Sequence, residues 1–142
     1  MKHRKEVVFL LITLVVILLD QITKSIVRNT FQVGQTKGIF TYIQNTGAGF
    51  GILKGMNGFL IAVSILIIVF IIYYYHKIHE HHKAPVGATA FIIGGAVGNL
   101  IDRIIHGFVI DFIDFGIWPA FNIADSAITI GAVVLIFYFW QK

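Results

Sequence analysis

The chain contains no cysteine. That excludes disulfides, a thiol nucleophile and every cysteine-based metal site. Serine is scarce too: Ser25, Ser64 and Ser126 are the whole supply, and none sits in a G-x-S-x-G elbow. A Ser–His arrangement has only Ser126 and His106 to draw on, and nothing in their spacing supports it. Charged residues make up 13% of the 142 residues, where soluble domains carry roughly 25%. The net charge of +4 is small, and no basic-aromatic repeat interrupts the sequence. No nucleic-acid partner is therefore expected, and the excess suits the charge asymmetry of a membrane protein.

What the chain has in quantity is apolar surface: 57% hydrophobic residues, 13 of them Phe, and a mean hydropathy of +0.84. A membrane-spanning helix needs about 20 mostly apolar residues. Four segments approach that length, at about 7–27, 59–75, 84–101 and 121–140. The third is rich in small residues (Gly87, Ala90, Gly94, Gly95, Gly98), which let helices approach closely in a bundle. The basic start MKHRK followed by an apolar core resembles a signal peptide. No small-x-small cleavage site follows, so a retained first helix is expected.

Lysine and arginine set the orientation. Lys2, Arg4, Lys5, Lys77, Lys83 and Lys142 fall on one side, and Arg28, Lys37 and Lys54 on the other. Six against three predicts both termini in the cytoplasm and two outer loops, at about 28–58 and 102–120. The first outer loop carries Phe40, Tyr42 and Ile43, then the glycine-rich NTGAGFG from Asn45 to Gly51. It predicts a small β-platform on the outer face, with Phe and Ile toward lipid. No strand-helix context follows that would make its glycines a nucleotide loop. The expected fold is all-α: one membrane domain over 1–142, with four transmembrane helices and an extracytoplasmic β-platform between the first two.

With that topology all five aspartates (20, 102, 111, 114, 125) lie at or near the outer boundary. An ionisable group at mid-span costs at least about 2.5–3.5 kcal/mol, so the clustering needs a reason. Capping and loop polarity account for Asp114. Asp20 and Asp125, each with apolar sequence on both sides, are poorly explained that way. Asp20 and Lys24 are spaced i,i+4, acid first, as a structural ion pair. Asn99, Asp102 and Arg103 share a helical face, where Arg103 can meet an acid or a substrate carbonyl. Asn122 and Asp125 fall in a first helical turn, which favours an anion.

The remaining chemistry is a carboxylate pair. Two such groups in hydrogen-bond reach share a proton and titrate as a unit. One can take a proton from water while the other polarises a carbonyl. Asp102, Asp111, Asp114 and Asp125 are candidates by position, and spacing alone leaves the choice open. The tract YHKIHEHHK (His76, His79, His81, His82) lacks the H-E-x-x-H pattern and reads as a basic turn; no metal or cofactor is expected.

Four blocks in order, DQITK (Asp20–Lys24), NTGAGFG (Asn45–Gly51), GGAVGNLIDR with HGFVIDF (Gly94–Phe112), and PAFNIADSAITIG (Pro119–Gly131), resemble the lipoprotein signal peptidases, or signal peptidase II. The resemblance covers nearly the whole chain. It implies an aspartic protease of the bacterial inner membrane that cuts prolipoprotein signal peptides before a diacylglyceryl-modified cysteine. It implies a catalytic dyad at Asp111 and Asp125, with Asn45, Asn99, Arg103 and Asn122 holding substrate or supporting the dyad. Asp20 and Lys24 match a supporting pair, and Asp102 would hold Arg103 or the following loop in place. The partners implied are the lipid-modified precursor and membrane lipid, with the enzyme a monomer. One departure is a short connection between Asp111 and the fourth block, which bears on any lid over the site. Two other readings compete. A proton-coupled transporter predicts acids at mid-span and internal repeats, neither of which is present. A non-catalytic helix-binding subunit predicts that neither aspartate is needed. A presenilin-like protease lacks its GxGD here.

Overall fold

The computed structural model describes residues 2–48, 52–81 and 86–141. The histidine tract's side chains (His76, His79, His81, His82) and Gly49, Phe50 and Gly51 of the glycine-rich block lie outside the described residues.

Four helices, α1 (Lys2–Thr30), α2 (Asn57–His81), α3 (Val86–His106) and α4 (Ile123–Trp140), carry the apolar runs. Each is long and apolar enough to cross a membrane. The chain is thus a multi-pass membrane protein. α3 has the lowest mean hydropathy of the four, 1.4 against 1.9–2.5, and half of its span is buried against 11–17% for the others. The two facts share a cause. α3 packs on α1, α2 and α4, so it needs small side chains more than lipid-soluble ones. Gly98 faces Asp20, and a Cβ there would come within 2.6 Å of Asp20 Oδ2.

Three strands, β1 (Thr36–Lys37), β2 (Phe40–Asn45) and β3 (Val109–Ile113), form an antiparallel sheet in the order β1-β2-β3. The platform expected between the first two helices therefore draws its third strand from the α3–α4 connection. α3 also runs five residues beyond the expected end at Ile101, to His106. Gly107 then takes φ +80, and its N–H donates to the Arg103 carbonyl. That left-handed residue ends the helix and turns the chain into β3. β3 pairs with β2 through Ile43 and Asp111, Gln44 and Ile110, and Asn45 and Val109.

Beneath the sheet Val27, Tyr42, Ile110 and Phe112 make a buried cluster. It seats the sheet on the end of the bundle where α1 and α3 finish and α2 and α4 begin. Ile39 and Phe40 are exposed on it, while Tyr42 is buried.

Candidate active site

A cleft of about 200 Å³ opens at that end. Asn45 and Ala48 follow from β2, Asn99 and Arg103 come from α3, Asp111 from β3 and Asp125 from α4. Trp118, Pro119, Ala120 and Phe121 complete its wall. The short connection after Asp111 is therefore a wall of the cleft, fixed to β3 by an antiparallel bridge between Ile113 and Phe121.

Local structure fixes each carboxylate. Asp111 points from a strand buried from Val109 through Phe112 and is itself 3% exposed. Its Oδ2 accepts from Asn45 Nδ2 at 2.9 Å, and its Oδ1 accepts from Asn122 Nδ2 at 2.8 Å. Asp125 is the third residue of α4. Its backbone N–H donates to Asn122 Oδ1, and its Oδ2 accepts from the Asn122 backbone N–H, a reciprocal capping box. Its Oδ1 accepts from Asn99 Nδ2 at 2.8 Å. Asn122, fully buried, is the joint between them: it caps the helix bearing Asp125 and donates to Asp111.

Electrostatics set Asp111 apart. Burial, and then the charge of Asp125, push its carboxyl up to about 7. The Asn45 amide, the Lys24 ammonium and the Asn122 amide oppose that rise without cancelling it. At neutral pH the group stands near half-protonation, which suits proton transfer.

Behind the cleft lies a polar layer. Lys24 Nζ donates to Asp20 Oδ2 at 2.8 Å, Asp102 Oδ2 at 3.0 Å and Asn99 Oδ1 at 2.9 Å. The ammonium has three protons, so a buried cation is fully satisfied. Because Asn99 offers its oxygen to Lys24, its nitrogen is the end that faces Asp125. The Asp20–Lys24 pair expected from i,i+4 spacing is present, and Asp102 joins it.

Arg103 lies in the cleft wall, and its Nη2 donates to the Gly47 carbonyl at 3.4 Å. No acid lies within ion-pair distance of it among the described residues. Asp102 thus makes no ion pair with Arg103, and its Oδ2 instead accepts the backbone N–H of Ile110 in β3. Asp114 lies outside the cleft, its Oδ1 accepting from the Gly116 N–H. Ser126 and His106 make no pair: Ser126 Oγ donates to the Asn122 carbonyl, and His106 Nε2 lies 3.1 Å from Arg28 Nη1. Among the described residues no group of three or more His, Asp or Glu side chains is arranged to hold a metal.

Gln21 was not singled out from sequence. Its Nε2 donates to Asp102 Oδ1, the Gly98 carbonyl and Asp20 Oδ2. The available signal was its place on the inward face with Lys24, three residues on. The Trp118–Phe121 wall was also missed, having no chemistry of its own to mark it.

The family model described as signal peptidase (SPase) II matches residues 12–141. A lipoprotein signal peptidase of Halothermothrix orenii is 46% identical over 138 residues, covering 93% of this chain and 94% of that protein. One from Moorella thermoacetica is 37% identical, covering 94% and 91%. A bacterial membrane enzyme solved by the in meso method at 2.3 Å resolution superposes with a TM-score of 0.86 at 35% identity, covering 94% of this chain and 88% of that one. With a family match over nearly the whole length, and relatives matched almost end to end, the chain belongs to the signal peptidase II family.

Proposed function

We propose that the protein is an aspartic endopeptidase of the bacterial cytoplasmic membrane. It removes signal peptides from prolipoproteins, cutting on the N-terminal side of a diacylglyceryl-modified cysteine. One observation carries the reading. Two carboxylates from different elements face one cleft, share Asn122, and have Asp111 raised to about 7.

In this mechanism Asp111 holds the shared proton and Asp125 is ionised. Asp125 takes a proton from water as the water oxygen bonds to the scissile carbonyl carbon. Asp111 gives its proton to the carbonyl oxygen, so no oxyanion is left bare in the cleft. The tetrahedral intermediate collapses as its C–N bond breaks. Asp125 returns its proton to the leaving nitrogen, and the hydroxyl proton goes back to Asp111. Both carboxyls finish as they began. Asn45, Asn99 and Asn122 supply N–H donors that fix the carboxylates during these transfers. Arg103 offers a cation in the cleft wall, suited to a substrate carbonyl.

The lysine and arginine bias supports an orientation with both termini in the cytoplasm and the cleft near the outer face. That is where the end of a membrane-anchored signal helix would present its cleavage site. The test is to incubate the purified protein in detergent with a precursor peptide, with and without diacylglycerol on its cysteine. Product masses should report a single cut, immediately before the modified cysteine, and only in the lipidated peptide. No cut, or a cut elsewhere, would overturn the assignment.

A further inference from the structure

Two carboxylates outside the cleft hold the backbone on either side of it. Asp20 Oδ1 accepts the backbone N–H of Ala124 at 2.9 Å, and Ala124 immediately precedes Asp125. Asp102 Oδ2 accepts the backbone N–H of Ile110 at 3.0 Å, and Ile110 immediately precedes Asp111. Lys24 bridges the two acids, and Gln21 bridges them a second time. Asp20, Lys24 and Asp102 are each no more than 1% exposed.

The arrangement has two arms and one pivot. Each arm is a short, planar carboxylate, and each ends on the peptide N–H next to one of the two cleft aspartates. The ammonium fixes the distance between the arms. A buried ionic cluster of this kind is a poor means of stabilising a fold, because apolar side chains of equal volume often do as well or better. Apolar side chains would pack α1 against α3 and α4, but they could not accept two backbone N–H bonds. We propose that Asp20 and Asp102, bridged by Lys24, are positioning residues that set the separation of Asp111 and Asp125. The proposal rests on the two-aspartate reading above.

The test compares Asp20→Asn, Asp102→Asn and the double variant Asp20→Asn/Lys24→Met with the wild type, as full-length protein in detergent. Each single variant leaves Lys24 one carboxylate. The double variant removes one charge of each sign, so it keeps the cluster's net charge while removing the ammonium bridge between the two arms. It separates loss of spacing from loss of charge, and it remains informative if a single variant fails to fold. Two readouts are taken on folded protein: kcat and KM on the lipidated precursor, and the ¹³C carboxyl titration of Asp111.

The clamp predicts a kcat about 100-fold lower, the cost of an ångström-scale misplacement, with KM within about twofold because substrate contacts are untouched. In the single variants, which keep Lys24, it also predicts an Asp111 titration midpoint below about 7, because the Asp125 charge that helps raise it has moved away; the double variant, which also loses the Lys24 ammonium that opposes the rise, is judged by kcat. Folded variants that keep kcat within about twofold, or lose activity through KM alone, or single variants that leave the Asp111 midpoint unmoved, would overturn the proposal. If the wild type cuts no precursor, the peptidase reading fails, and the titration alone decides the clamp.

Discussion

Replacing Asp111 by Asn should make the protein less sensitive to alkali while abolishing its proposed activity. The carboxyl titrates at 3.8 in an unperturbed chain and at about 7 in the fold. Between those values the folded chain keeps a proton that the unfolded chain releases, so stability falls as pH rises. The contribution is fully present below the unfolded value and is lost as pH passes the folded one. At about 1.4 kcal/mol per pH unit, the loss accumulated by pH 7–8 is roughly 4 kcal/mol. Asp111 is 3% exposed, so solvent screening takes little of this away. Asparagine does not titrate, and the loss disappears with it. It carries its own cost, since its NH2 group must face either the Asn45 or the Asn122 amide, both of which donate to the native carboxylate. That cost, about 1–3 kcal/mol, does not depend on pH. The informative quantity is therefore the difference in slope. Unfolding of both proteins in detergent, measured from pH 4 to 8, should give a wild-type curve that falls more steeply than the variant's across that window. Carboxylates that do not interact with Asp111 cancel in the comparison. Parallel curves would refute the claim that the fold raises Asp111.

Three further outcomes follow from the same geometry. The pH profile of kcat/KM should lose activity as pH rises through about 7, because Asp111 then gives up the proton the mechanism needs; a plateau to pH 9 would contradict this. Gly98→Ala gains about 1 kcal/mol of helix propensity but sets a Cβ 2.6 Å from Asp20 Oδ2. Overpacking of about 1–3 kcal/mol should leave it less stable by thermal unfolding and slower in turnover, not improved. Asn122→Ala removes a helix cap and a buried donor to Asp111 together, so a loss of about 2–4 kcal/mol is expected by denaturant unfolding, with cleavage lost as well.

The spans and the Asp20–Lys24 pair were legible because both are local. Apolar run length and i,i+4 spacing need no knowledge of the fold. The first turn of α4 was legible for the same reason, since Asn122 and Asp125 lie three apart in a capping arrangement. β3 was not. Its residues are buried on both faces through Phe112, so the alternation that marks a half-exposed strand is missing. Its partner strand also lies more than sixty residues earlier. The tether from Asp20 to the Ala124 N–H crosses 104 residues and depends on backbone geometry, which side-chain patterns do not encode. Arg103 shows the limit of a shared helical face. Asp102 is its sequence neighbour, yet the two point to different partners, Gly47 and Lys24.

Peptide hydrolysis in this cleft depends on two carboxylates sharing the work on one water. Its most direct test is turnover of the lipidated precursor by folded Asp111→Asn and Asp125→Asn, with Asp114→Asn as the control outside the cleft. Each of the first two should lose about 10³-fold or more in kcat, as expected when a positioned acid or base is removed, while the control keeps wild-type turnover. Near-normal cleavage by either cleft variant would contradict the dyad.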